Sequence, residues 1–125
     1  MNRQPLIYIA GPYTNPDPVG NTRRAIAAGM GLYDRTGCGV IIPHLSLLSH
    51  FLDPRPVEDW YQFDLKLLEH CSAVYRLSGV STGADREVVH AQALKIPVFT
   101  ELRPGVLGDD LLDFATTDPG EVLAW

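Results

Sequence analysis

Several functional classes are excluded by what the 125-residue sequence lacks. No apolar run is long enough to span a bilayer, so no membrane association is expected. Only two cysteines occur, Cys38 and Cys71, far apart and without C-x-x-C spacing. They are expected to be reduced, buried thiols. The four histidines, His44, His50, His70 and His90, lack the H-E-x-x-H spacing of a zinc site. No metal and no organic cofactor is expected. A Walker lysine motif and a G-x-G-x-x-G turn are both missing, which argues against a P-loop NTPase or a dinucleotide dehydrogenase. An α/β-hydrolase is not expected either. Basic residues are scarce: 10 Lys and Arg stand against 15 Asp and Glu, for a formal net charge of -5. Such a surface does not attract a polyphosphate backbone, so nucleic acid is not an expected partner. A small anionic ligand stays compatible, because a local pocket can oppose the global charge.

What is present describes one folded domain. Hydrophobic residues make up 46% and charged residues 20%, enough apolar material for a core. Met-Asn-Arg-Gln-Pro leads straight into a strand-like run rather than a signal peptide, which predicts a soluble, cytoplasmic protein. Leu6 to Ala10 lacks polar alternation, as a strand buried on both faces should. Tyr13 to Gly20 reads as a loop, and Asn21 to Thr36 as a helix capped by Asn21 and stopped by Gly37. Val40 to Ile42 is the second strand. A connection with short helical character around Leu45 to Phe51 leads to a helix over Val57 to Cys71, whose apolar face carries Trp60, Phe63, Leu67, Leu68 and Cys71. Ala73 to Leu77 is the third strand, Ala84 to Leu94 a helix and Ile96 to Thr100 the fourth strand. Asp109 to Phe114 and Pro119 to Trp125 read as short helical turns. Alternating strands and helices predict a doubly wound, mainly parallel sheet of four or five strands with helices on both faces.

In such a sheet, ligands bind beyond the carboxyl ends of the strands. Gly11, Pro12 and Tyr13 leave the first strand there. Gly11 allows close backbone approach and Pro12 stiffens the exit, although an ordinary turn also fits. Ser81 to Glu87 follows the third strand and opens a helix. Ser81 or Thr82 can cap that helix, Gly83 leaves room for a ligand, and Asp85 fits a capping box with Thr82. Glu87 lies near the first turn, where the helix dipole favours an ionised carboxylate able to attack an anomeric carbon. Position alone also fits a solvated surface glutamate. Asp64 shares the apolar face of its helix, which is costly unless it is paired, opens onto a pocket or reaches water at the stripe's edge. Trp60, Tyr61 and Tyr13 could stack on a base or simply be core. His44, following the second strand, is the best histidine candidate for a substrate contact. His90 follows Glu87 by three residues and could share its face.

Together these pieces resemble the nucleoside 2-deoxyribosyltransferase superfamily, which includes 2'-deoxynucleoside 5'-phosphate N-hydrolases. The resemblance covers roughly residues 5 to 100. It rests on Ile7-Tyr-Ile-Ala-Gly-Pro-Tyr13, on Asp64 ahead of Cys71-Ser-Ala-Val74, and on Ser81-Thr-Gly-Ala-Asp-Arg-Glu87 followed by Ala91 to Val98. With Pro43-His44-Leu45, it is closest to a small bacterial and phage branch. Ser72 stands where many members carry aspartate, and the first loop lacks the arginine-rich stretch of the nucleotide hydrolases. The resemblance implies a glutamate nucleophile at Glu87, a sugar contact or proton donor at Asp64, a nucleophile-orienting tyrosine at Tyr8 and a phosphate-binding serine at Ser81. It also implies N-glycosidic cleavage of a nucleoside or nucleoside 5'-monophosphate, with transfer to another base or to water. It further implies a homodimer or higher homo-oligomer whose neighbours complete the site. The alternatives are a non-catalytic nucleotide sensor and a phosphoribohydrolase acting on ribonucleotides.

Overall fold

Leu6–Ala10 forms strand β1, and Ile7 through Ala10 are wholly buried in the computed structural model, which describes residues 4–117. Burial on both faces explains why this run carries no polar alternation. Strands β2 (Gly39–Ile41), β3 (Ala73–Arg76) and β4 (Val98–Thr100) complete a parallel sheet in the order β2-β1-β3-β4. Tyr8 lies opposite Ile41 on one side and Val74 on the other. Parallel pairing requires a crossover between successive strands. Helix α1 (Pro18–Thr36) supplies the first. Helices α2 (Ser46–Leu52) and α3 (Val57–Leu68) supply the second, and α4 (Thr82–Ala93) the third. Helix α5 (Asp109–Thr116) follows β4.

The helices cover both faces of the sheet, so the fold is doubly wound as the element order predicts. On one face Ile7, Ile9 and Tyr75 pack with Ala25 and Leu32 of α1 and Leu111 and Ala115 of α5. On the other, Tyr8, Ala10 and Val74 pack with Leu65 and Leu68 of α3 and with Ala84 and Ala91 of α4. Cys38 and Cys71 are buried free thiols. No helix among the described residues is long and apolar enough to cross a membrane. The chain leaves β1 toward β2 and then jumps back across β1 to β3. The winding therefore reverses between β1 and β3, which opens a crevice at their carboxyl ends.

Some boundaries differ from those the sequence suggests, each for a local reason. Helix α1 starts at Pro18, inside the stretch read as a loop. Asp17 caps it by accepting from the Val19 and Gly20 N–H groups at 3.2 and 3.1 Å. Pro18 sits in the first turn, where its missing N–H costs nothing. Asn21 is therefore no cap. Its side-chain amide donates to the Tyr13 and Asn15 carbonyls at 3.0 and 2.9 Å and ties the β1–α1 loop down. Helix α3 stops at Leu68 rather than Cys71, and Phe63 is exposed. Its inner face is rotated toward Tyr61, Leu65 and Leu68. Helix α4 begins at Thr82, capped by Ser81, whose Oγ accepts from the Ala84 N–H at 3.0 Å. Asp109 to Phe114 lies within α5; the turn expected over Pro119 to Trp125 falls outside the described residues.

Candidate active site

The crevice between β1 and β3 opens into a cavity of about 830 Å³. Gly11, Pro12 and Tyr13 line it from β1, and His44 from the turn after β2. Trp60 and Asp64 line it from α3, and Ser81, Gly83 and Glu87 from the start of α4. The expected site residues thus converge on one cavity, with Tyr8 in the layer beneath. Among the described residues, no three His, Cys, Asp or Glu side chains gather closely enough to hold a metal ion.

Glu87 is the centre of the arrangement. It lies in the second turn of α4 and is only 7% exposed, so the surface-glutamate reading fails. The Tyr8 hydroxyl, itself fully buried, donates to Glu87 Oε2. Burial drives the Tyr8 phenol far above its usual range, and the Glu87 and Asp64 charges add to that. Tyr8 therefore stays a donor. The dipole argument for an ionised Glu87 is outweighed: burial pushes its carboxyl up to about 7. The Tyr8 hydrogen bond and the Arg76 charge pull it down, and Asp64 pushes it up. Asp64 is also raised to about 7, by burial alone. Glu87 is buried and Asp64 half-buried, and the Asp64 charge is one of the influences that raise Glu87. The Tyr8 bond favours the ionised form of Glu87, whereas nothing but burial acts on Asp64.

This burial has a consequence for stability. Both carboxyls titrate higher in the folded chain than in an unfolded one, near 4. The folded state therefore binds more protons between about pH 4 and 7, and these groups lower stability as pH rises through that window. Glu87→Gln protein is expected to gain on the order of 1–3 kcal/mol over wild type at about pH 8, and less at about pH 5. Urea unfolding at the two pH values measures the difference. Equal stability at the higher pH would contradict the burial of a charged Glu87.

The β3–α4 turn is braced from below. Arg76, at the end of β3, donates to the Leu77 carbonyl, to the Gly79 carbonyl at 3.0 Å and to Asp85 at 2.9 Å. Asp85 is thus an ion-pair partner and not part of a capping box. Glu101 is buried and accepts from the Ser78 N–H and hydroxyl, both at 2.9 Å, from the Gly105 N–H at 3.0 Å and from Arg24 at 3.0 Å. These donors hold the Glu101 carboxyl below its ordinary range despite its burial. Gly79 has φ +118 and packs so that a Cβ would meet Pro12 Cγ at 2.9 Å. Gly79→Ala is expected to cost about 1–3 kcal/mol in urea unfolding, since both the backbone and the contact resist the methyl group.

The same turn spells Gly79-Val80-Ser81-Thr82-Gly83, a G-x-S-x-G match, so the expectation against an α/β-hydrolase stands on geometry and not on a missing motif. Geometry sets it apart from a nucleophile elbow. Ser81 has an unstrained extended backbone, φ -160 and ψ 111, and its Oγ caps α4. No histidine among the described residues bonds to it.

On the α3 side, Arg86 stacks on the Tyr61 ring at 3.7 Å and pairs with Glu58 at 3.3 Å, bridging α3 and α4 at the cavity wall. His44 is 3% exposed; its Nε2 lies 2.9 Å from the Pro12 carbonyl, and burial lowers its pKa. It fixes the β1–α1 loop as well as lining the cavity. His90 turns away from Glu87 to pair with Glu69 at 3.0 Å. Arg24, Arg76, Glu101 and His50 were not singled out from the sequence, because their roles come from tertiary partners. No curated protein gives a significant match to the chain. A family model matches residues 5–101, most of the sequence, and the chain belongs to that family, the domain of unknown function DUF7768.

Proposed function

We propose that the chain cleaves the N-glycosidic bond of a nucleoside or nucleoside 5'-monophosphate through a covalent glycosyl ester on Glu87. The observation that carries this reading is a pair of carboxyls in one aromatic-lined cavity, Asp64 half-buried and Glu87 buried and held by a buried tyrosine hydroxyl. Retaining glycosyl transfer needs one ionised and one protonated carboxyl at the same centre, and this pair supplies both near neutral pH.

A Glu87 carboxylate oxygen bonds to C1' while the C1'–N bond breaks, and the bonding electrons leave with the base. Asp64 gives its proton to that base. Water or a second base then attacks C1', Asp64 takes up the proton from the attacking group, and the Glu87 carboxylate departs. Tyr8 keeps Glu87 aligned and stabilises its charge before attack and after release. Trp60 and Tyr13 offer stacking surfaces to the base, and Gly11, Ser81 and Gly83 line the space for the sugar and a 5' substituent. The proposal includes membership of the nucleoside 2-deoxyribosyltransferase superfamily, a cytoplasmic location and a homodimer or higher homo-oligomer. Leu48, Phe51, Leu52 and Phe63 are an exposed apolar set on α2 and α3 available to a second copy.

Chromatography of nucleosides and 5'-monophosphates incubated with the protein, with and without an acceptor base, tests the reading. Release or exchange of base by wild type and not by Glu87→Gln protein is the expected result. A nucleotide that binds and survives intact would make the cavity a sensor site instead.

A further inference from the structure

His50, on α2, lines the same cavity and has no part in the chemistry proposed above. Its hydrogen-bonding state is fixed by two neighbours. The Trp60 indole N–H donates to His50 Nδ1 at 2.9 Å, and the Arg55 backbone N–H reaches the same atom at 3.2 Å. An indole N–H and an amide N–H can only donate. Nδ1 must therefore be the nitrogen with the free lone pair, and the neutral ring carries its proton on Nε2. Nε2 has no partner among the described residues. The rings of His50 and Trp60 meet edge to face, with centroids 6.1 Å apart and planes at 76°, so the contact that fixes the tautomer also fixes the ring plane.

His50, a residue of the cavity lining, thus keeps its ring N–H at Nε2 while Trp60 and Arg55 hold Nδ1. His44 does not duplicate it, because His44 Nε2 is engaged with the Pro12 carbonyl. The two arginines of the cavity lining are also engaged, Arg86 by Glu58 and Tyr61 and Arg24 by Glu101 and the Ser78 carbonyl. We infer that His50 is a specificity-determining residue, donating from Nε2 to a carbonyl oxygen of the ligand's base and so favouring oxo over amino bases. An amino group at that position would set donor against donor and leave both unsatisfied. The inference rests on the nucleoside reading of the cavity and names the class of base within it.

The test uses Glu87→Gln protein, so that ligand is not consumed. Calorimetry compares 2'-deoxyinosine with 2'-deoxyadenosine, and 2'-deoxyuridine with 2'-deoxycytidine. Within a pair that binds, the oxo member is expected to bind about tenfold more tightly. Adding His50→Phe should bring its two members within about twofold of each other, while keeping an aromatic ring at the position. Nitrogen-15 NMR of wild-type His50 is expected to show the Nε2–H tautomer. An Nδ1–H tautomer, equal affinities in the first protein, or an oxo preference that survives His50→Phe would each overturn the inference. Base release by wild type without oxo preference would overturn it alone. Failure of every one of these nucleosides and of its 5'-monophosphate to bind would overturn both it and the function on which it rests.

Discussion

Glu87→Gln protein is expected to lose base release by a factor of about 10⁴ or more, because an amide cannot form the glycosyl ester. The substitution is nearly isosteric, and the amide oxygen can still accept from the Tyr8 hydroxyl. It also removes a buried charge, so the variant should be more stable than wild type near neutral pH, not less. The two effects run in opposite directions and separate lost chemistry from lost fold. Measuring turnover and urea stability on the same preparation checks both. A variant that is more stable and equally active would show that Glu87 is a buried carboxyl with no chemical role.

Asp64→Asn is expected to slow cleavage by about 10²- to 10⁴-fold, the usual contribution of a positioned proton donor. Its effect depends on the leaving group. A neutral base must pick up a proton as it departs, whereas an N7-methylated purine already carries a positive charge and leaves as a neutral molecule. The variant should therefore retain most of its activity on an N7-methylated purine nucleoside. The pH profile carries the same information. Glu87 and Asp64 are each raised to about 7, so wild-type activity should peak near neutrality. It falls on the acid side as the pair takes a second proton and on the alkaline side as it loses the last one. Asp64→Asn should lose the alkaline limb. If that limb persists, or if methylated and ordinary nucleosides slow equally, Asp64 is not the proton donor.

Local patterning carried much of this structure, and tertiary packing carried the rest. The unalternating run Leu6 to Ala10 reads directly as a central parallel strand, because burial on both faces leaves no polar positions. The alternation of strands and helices was enough for the doubly wound sheet and hence for the edge where ligands bind. Helix α1 was misplaced at its start, since Asp17-Pro18 carries both turn and helix-entry chemistry and only the hydrogen bonds of Asp17 decide between them. The position of Glu87 at the cavity was legible, but its ionisation was not. A dipole argument sees only the helix, while burial under β1 and the nearby Asp64 come from the fold. The same holds for Arg76, whose partners Gly79 and Asp85 meet it only once the β3–α4 turn has formed. His50 was passed over because its tautomer is set by Trp60 ten positions away, on another helix.

The covalent step can be observed directly. A nucleoside with fluorine at C2' slows both glycosyl transfers, because fluorine destabilises the oxocarbenium-like transition state, and a reactive leaving base restores the first transfer. After incubation, digestion and peptide mass spectrometry, the peptide containing Glu87 should carry the added mass of the fluorinated sugar, and fragmentation should place it on that side chain. Base release with no adduct, or an adduct on any other residue, would contradict a nucleophilic Glu87.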